Sequence, residues 1–90
     1  MKLLKFYADW CQPCKQQSVM LSELDDIEIE SVNIELEESQ DLVQQYGVRG
    51  LPFLVLLDNE GKELSRFTGL TPVAKIREEA SKYNDNQGVE

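Results

Sequence analysis

Apolar positions fall along the chain in short blocks whose spacing changes character from one block to the next. Leu3-Leu4-Lys5-Phe6-Tyr7-Ala8 is a mostly apolar run closed off by Asp9 and Trp10-Cys11-Gln12-Pro13-Cys14, and it predicts a strand over Lys2 to Ala8. Beyond Pro13 the spacing turns helical, with Val19, Met20, Leu21 and Leu24 as an apolar stripe that fades at Asp25-Asp26. Pro13 suits a first helical turn, which has no use for the N–H that proline lacks. Ile27, Ile29, Val32 and Ile34 mark a second strand, Ile27 to Ile34, whose alternation shifts phase near Ser31. Ser39 is placed to cap a short helix that runs through Tyr46 and stops at Gly47.

The run Leu51-Pro52-Phe53-Leu54-Val55-Leu56-Leu57 is almost continuously apolar, as in a central strand buried on both faces. Asp58-Asn59-Glu60-Gly61 reads as a turn, and Lys62 to Thr68 as an antiparallel return strand. Thr71 as N-cap and Pro72 at the first helical position open a last helix, with Val73, Ile76, Ala80 and Tyr83 on one stripe. The order β-α-β-α-β-β-α predicts an α/β fold, a four-stranded mixed sheet with three helices. Its first two strands are parallel because a helix joins them, and the hairpin adds antiparallel ones. One domain over residues 1–83 is expected, followed by a polar tail over 84–90 that frays.

Ninety residues allow one domain with a small core. With 9 basic and 17 acidic side chains the net charge is −8, which repels phosphate backbones and anionic lipid. No stretch interleaves Lys or Arg with aromatics, so nucleic acid is not an expected partner. The chain has no histidine, which removes Ser-His and Cys-His nucleophile pairs and imidazole metal ligands. The longest apolar run, Leu51 to Leu57, is far too short for a membrane span, and Lys5 and Asp9 interrupt any signal-peptide core. A cytoplasmic protein with no membrane partner is expected.

Cys11 and Cys14 are the only cysteines, too few for the disulfide framework of a small secreted scaffold. Their spacing suits a disulfide or half of a thiolate metal site and does not choose between them. Their position does: a loop from a strand into a helix offers unpaired N–H groups and the positive end of the helix dipole. Both stabilise a thiolate and make the first cysteine a nucleophile at neutral pH.

Phe6-Tyr7-Ala8-Asp9-Trp10-Cys11-Gln12-Pro13-Cys14-Lys15 closely resembles the active-site segment of the thioredoxin family. Tyr46-Gly47-Val48-Arg49-Gly50-Leu51-Pro52 is similar to the family's segment before its cis-proline, and Thr68-Gly69 to its last groove loop. The resemblance covers nearly the whole chain, which starts at what would be the family's second strand, without the leading strand and helix. It implies a thioredoxin-like fold and thiol–disulfide exchange, in which the Cys11 thiolate attacks a substrate disulfide and Cys14, turned toward the sheet, displaces the product. It further implies that Trp10, Gln12 and Pro13 support the site, and that Leu51, a cis Pro52, Thr68 and Gly69 form a groove for an extended peptide. Pro52 would leave backbone groups free to pair with that peptide, and would deny a metal its approach. No bound cofactor is needed, because the Cys11–Cys14 dithiol is itself the redox group, and no metal is expected.

The same resemblance implies a monomer reduced by a thioredoxin-reductase-type flavoprotein and passing electrons to protein disulfides such as that of ribonucleotide reductase. The rival readings are a disulfide oxidant or isomerase, a glutaredoxin-like cycle driven by glutathione, a module in which two chains pool their cysteines around zinc or an iron–sulfur cluster, and a scaffold without enzymatic activity. Trp10 before Cys11 and Leu51 before Pro52 look more like thioredoxin than glutaredoxin. Lys5 stands where many members of the family carry a buried aspartate, and Ser31 where they often carry a lysine. Lys5 either snorkels its amine to water or lies beneath Cys14 and alters its ionisation. Gln12 replaces a usual glycine, between the two cysteines, where a hydrogen bond to sulfur tunes potential and partner choice.

Overall fold

A computed structural model of the chain describes residues 1–87. Strands β1 (Lys2–Tyr7), β2 (Glu28–Asn33), β3 (Phe53–Leu57) and β4 (Glu63–Thr68) form one sheet in the order β2-β1-β3-β4. β1 and β2 are parallel, and β3 is antiparallel to both β1 and β4, as the helix-then-hairpin order of the chain requires. Helices α1 (Gln12–Leu21), α2 (Gln40–Tyr46) and α3 (Val73–Gln87) cover it, with a 3-10 turn over Glu37–Ser39 leading into α2. Since α3 continues to Gln87, it takes in the start of the segment expected as a tail, whose residues 88–90 lie outside those described.

The two central strands are the ones whose sequences are nearly all apolar. Every residue of β3 is buried, and so are Leu3 to Phe6 of β1, whereas the edge strands β2 and β4 bury one residue each, Val32 and Phe67. Alternation along β1 divides its side chains between two cores. Leu3 joins Leu21, Leu24, Ile27, Ile76 and Ala80, together with Leu54 and Leu56 of β3. Leu4 and Phe6 join Val32, Tyr46, Phe53 and Val55 on the opposite face, where the Phe6 ring meets those of Tyr46 and Phe53 edge-on with centroids 6.0 and 5.9 Å away. Lys5, two residues from Leu3, therefore points to the α1 side.

Several local expectations are corrected. The buried line of α1 and the turn after it is Cys14, Gln17, Leu21 and Leu24, not the apolar stripe that included Val19, which is 72% exposed. The helix phase follows from packing Cys14 against the end of β1, and this puts Gln17 inside. Its amide satisfies both ends of one residue's backbone, donating to the Thr71 carbonyl at 2.9 Å and accepting from the Thr71 N–H at 2.8 Å.

Ser39 caps α2 without a side-chain hydrogen bond, because the 3-10 turn that precedes it supplies the entry. Thr71 does not cap α3 through its hydroxyl, which donates instead to the Gly69 carbonyl. Gly47 does stop α2, in the left-handed conformation at φ 63°, with the Val48 N–H returning to the Val43 carbonyl. No helix among the described residues is long and apolar enough to cross a membrane.

Candidate functional site

β1 ends at Tyr7, and within four residues the chain has turned into α1. The Cys11 N–H donates to the Ala8 carbonyl at 3.1 Å, which closes the turn and makes Cys11 the N-cap of α1. Its Sγ then stands where a capping oxygen would, accepting the Cys14 N–H at 3.2 Å. Cys11 and Cys14 are joined in a disulfide across a Cα–Cα distance of 5.2 Å. A sulfur held by a first-turn N–H at the positive end of a helix dipole is favoured as an anion once the bond is opened.

Cys11 does not project into solvent as its loop position suggests. It is 5% exposed and Cys14 2%, because both pack with Ala8 against Tyr7, Ile34 and Leu51. The two cysteines differ in what they border rather than in exposure. Cys11 lines a groove of about 560 Å³ with Trp10, Pro13, Ile34, Val48 and Leu51, in which Arg49 is the one formal charge. Cys14 lines a separate cavity of about 300 Å³ with Lys5 and Ser18.

Of the residues singled out from the sequence, Trp10, Gln12, Pro13 and Leu51 are brought to the groove with Cys11. Trp10 is 67% exposed, and its indole N–H donates to a Glu35 carboxylate oxygen at 2.7 Å. Nothing local in the sequence assigns Glu35 to this site. Parallel pairing of β1 with β2 carries it there, with the Ile34 N–H on the Tyr7 carbonyl at 2.9 Å.

Pro52 follows a cis peptide bond from Leu51, as the resemblance implies, but it is buried beneath the groove and its carbonyl accepts the Gly69 N–H at 2.9 Å. That carbonyl is therefore not free for a peptide, whereas Leu51 makes no loop or turn backbone bond among the described residues. Thr68 and Gly69 do not line this groove. Thr68 pairs with Phe53 in the sheet, and Gly69, at φ 79°, spends its N–H on Pro52.

Lys5 reaches the wall of the cavity that Cys14 lines. It is buried, its ammonium donates to the Ser18 hydroxyl, and that hydroxyl donates to the Cys14 carbonyl at 3.1 Å. Burial holds its pKa below the usual lysine value. Groove lining by Ile34 and Val48, and the partnership of Ser18 with Lys5, carry no local signal in the sequence, since each depends on register or helix phase. No group of three or more Cys, Asp or Glu side chains among the described residues is placed to hold a metal ion.

A family model for thioredoxin matches residues 1–82. The thioredoxin of Bacillus subtilis is 32% identical over 84 residues, spanning 90% of this chain and 80% of that protein. The thioredoxin of Chlamydia caviae is 37% identical over 71 residues, 76% of this chain and 68% of that one. Among solved structures, a thioredoxin-2 described as a component of the malaria parasite's protein secretion machinery superposes with a TM-score of 0.78 at 28% identity, covering 90% of this chain and 81% of its own.

Proposed function

The chain belongs to the thioredoxin family and is a thiol–disulfide oxidoreductase, and we propose that it works as a reductant of protein disulfides, with Cys11 as nucleophile and Cys14 as resolving thiol. One observation carries the division of labour: Cys11 borders the apolar groove with Trp10 and Leu51, and Cys14 borders a separate, more polar cavity with Lys5 and Ser18. In the reduced protein the Cys11 thiolate attacks one sulfur of a substrate disulfide lying in the groove. A mixed disulfide forms and the first substrate sulfur leaves as thiolate. The Cys14 thiolate then attacks Cys11 Sγ, the second substrate sulfur leaves, and the Cys11–Cys14 bond is restored with two electrons passed to the substrate.

Trp10, Pro13 and Leu51 present an apolar surface to the residues flanking the substrate cystine, and the unpaired backbone at Leu51 supports an extended strand of substrate. The cycle needs no bound cofactor, because the dithiol carries the electrons. A thioredoxin-reductase-type flavoprotein restores it, disulfides such as that of ribonucleotide reductase receive the electrons, and the protein acts as a cytoplasmic monomer.

Equilibration against a thiol–disulfide buffer of known poise, with free thiols counted, tests the reading. A reductant is expected near about −270 mV, and a value nearer about −180 to −120 mV would make the protein an oxidant or isomerase instead. The buried Lys5 beside Cys14 is the feature that favours that second reading.

A further inference from the structure

Burying a lysine with no carboxylate beside it costs solvation that nothing local returns. β1 does this at Lys5, which is 8% exposed and has no carboxylate within ion-pair distance among the described residues. Its ammonium has two contacts in place of an anion, the Ser18 hydroxyl and the face of the Tyr7 ring, whose centroid lies 5.3 Å away. Ser18 is one helical turn beyond Cys14 and bonds to the Cys14 carbonyl, so the tether holds the ammonium on the Cys14 side of β1. Lys5, Ser18 and Cys14 line the same cavity.

The other groups around that cavity do not supply the missing anion. Asp9, from the loop after β1, and Lys15, from α1, are exposed, so water and salt screen their charges. β2 contributes only the Ser31 hydroxyl, and the neighbour on β3 is Leu54. The oxidised protein therefore keeps a cation with no charge partner on the wall it shares with a disulfide sulfur. Reduction turns that sulfur into a group able to carry a full negative charge.

We propose that Lys5 is a positioning residue for the redox chemistry: held by Ser18, its ammonium stabilises the Cys14 thiolate across the shared cavity, so that the charge of Lys5 and the redox state of the disulfide are coupled. This deepens the dithiol reading and rests on it. On reduction the Cys11–Cys14 bond breaks and two electrons arrive from the donor dithiol. That donor releases two protons, of which one goes to Lys5 wherever Lys5 is neutral in the oxidised protein. The pair of ammonium and thiolate then stabilises the reduced form, and linkage requires each partner to raise or lower the other's pKa reciprocally. The coupling is expected to make the couple more oxidising than it would be without Lys5.

The intact chain allows a test in which the two ideas fail separately. If wild-type protein shows no two-electron couple against a thiol buffer, the dithiol reading itself falls. Given that couple, NMR titration of the Lys5 side chain in the oxidised and reduced proteins is expected to give a pKa higher by about one unit in the reduced form. Equal values overturn the proposal without any substitution being made.

Cys11→Ser leaves Cys14 as the only thiol, so ultraviolet thiolate absorbance then reports Cys14 alone. Adding Lys5→Met is expected to raise that pKa by about one unit, while Lys5→Arg keeps it near the parent value. In the dithiol protein, at a pH above the Cys14 pKa of both variants, Lys5→Met shifts the equilibrium about tenfold toward the disulfide, which is about 30 mV more negative. A folded Lys5→Met protein with an unchanged Cys14 pKa, or a Lys5→Arg protein that behaves like Lys5→Met, overturns the proposal.

Discussion

At the scale of single residues the site works by giving each sulfur a different environment. Cys11 accepts an N–H at a helix start and faces the groove, while Cys14 faces the cavity it shares with Lys5. Cys14→Ser is accordingly expected to stall the reaction at a mixed disulfide on Cys11, visible as a stable covalent complex by mass spectrometry under non-reducing conditions. Cys11→Ser should form none, and a complex on Cys14 in that variant would reverse the assignment.

Trp10 gives a second test at this scale, because it is the only tryptophan and its indole N–H is held by Glu35. Glu35→Ala should free the exposed ring and lower its steady-state fluorescence anisotropy. The fold should lose no more than about 0.5 kcal/mol, since the bond lies on the surface. Unchanged anisotropy would mean that packing, not the hydrogen bond, holds Trp10.

Among the elements, the α1 and α3 side of the sheet depends on contacts between segments far apart in sequence. Gln17 of α1 is fully buried and clamps the backbone of Thr71 in both directions, fixing the chain between Gly69 and α3. Gln17→Leu keeps the volume but leaves a buried N–H and a buried C=O without partners. A loss of about 2 to 4 kcal/mol is expected from chemical denaturation, and a loss below about 1 kcal/mol would show that the loop finds other partners.

The β3–β4 turn carries a pH dependence. Asp58 accepts the N–H groups of Lys62 at 2.8 Å and Glu60 at 2.9 Å, and these bonds, that of Lys62 foremost, hold its carboxyl below the ordinary value. A carboxyl with a depressed folded pKa contributes its stability above the unfolded pKa of about 3.9 and loses it as pH falls through the folded value. Asp58→Asn keeps an acceptor in the turn, so its denaturation midpoint should fall below the parent at pH 7, by a gap that narrows as pH falls below about 3.9. A constant difference across that range would remove Asp58 from the acid transition.

At the scale of the whole molecule, a net charge of −8 on 90 residues leaves carboxylates well in excess of cations. Self-repulsion at neutral pH is screened by salt, with a Debye length of about 10 Å at 0.1 M. Tm at pH 7 is therefore expected to rise on adding about 0.3 M sodium chloride, and the gain should shrink near pH 4.5, where many carboxylates are protonated. A Tm that falls with salt at pH 7 would show that ion pairs such as Lys2–Glu30, Arg66–Glu63 and Lys82–Glu79 outweigh the repulsion.

Element order, strand directions and the cysteine pair were legible in the sequence because each rests on local chemistry. The mostly apolar run at Leu3–Ala8 specifies a strand and that at Leu51–Leu57 a central one, Gly47 supplies the left-handed stop, and a Cys-x-x-Cys pair at a strand-to-helix turn specifies the disulfide and its polarised sulfur. Burial of Gln17 and exposure of Val19, the tether of Lys5 to Ser18, the hold of Glu35 on Trp10 and the closure of Pro52 by Gly69 were decided by the tertiary structure alone. The physical reason is common to all four. Periodicity tells which residues share a face, but the phase of that face and its polar partners follow from how strands register and helices settle on them, which no single segment encodes.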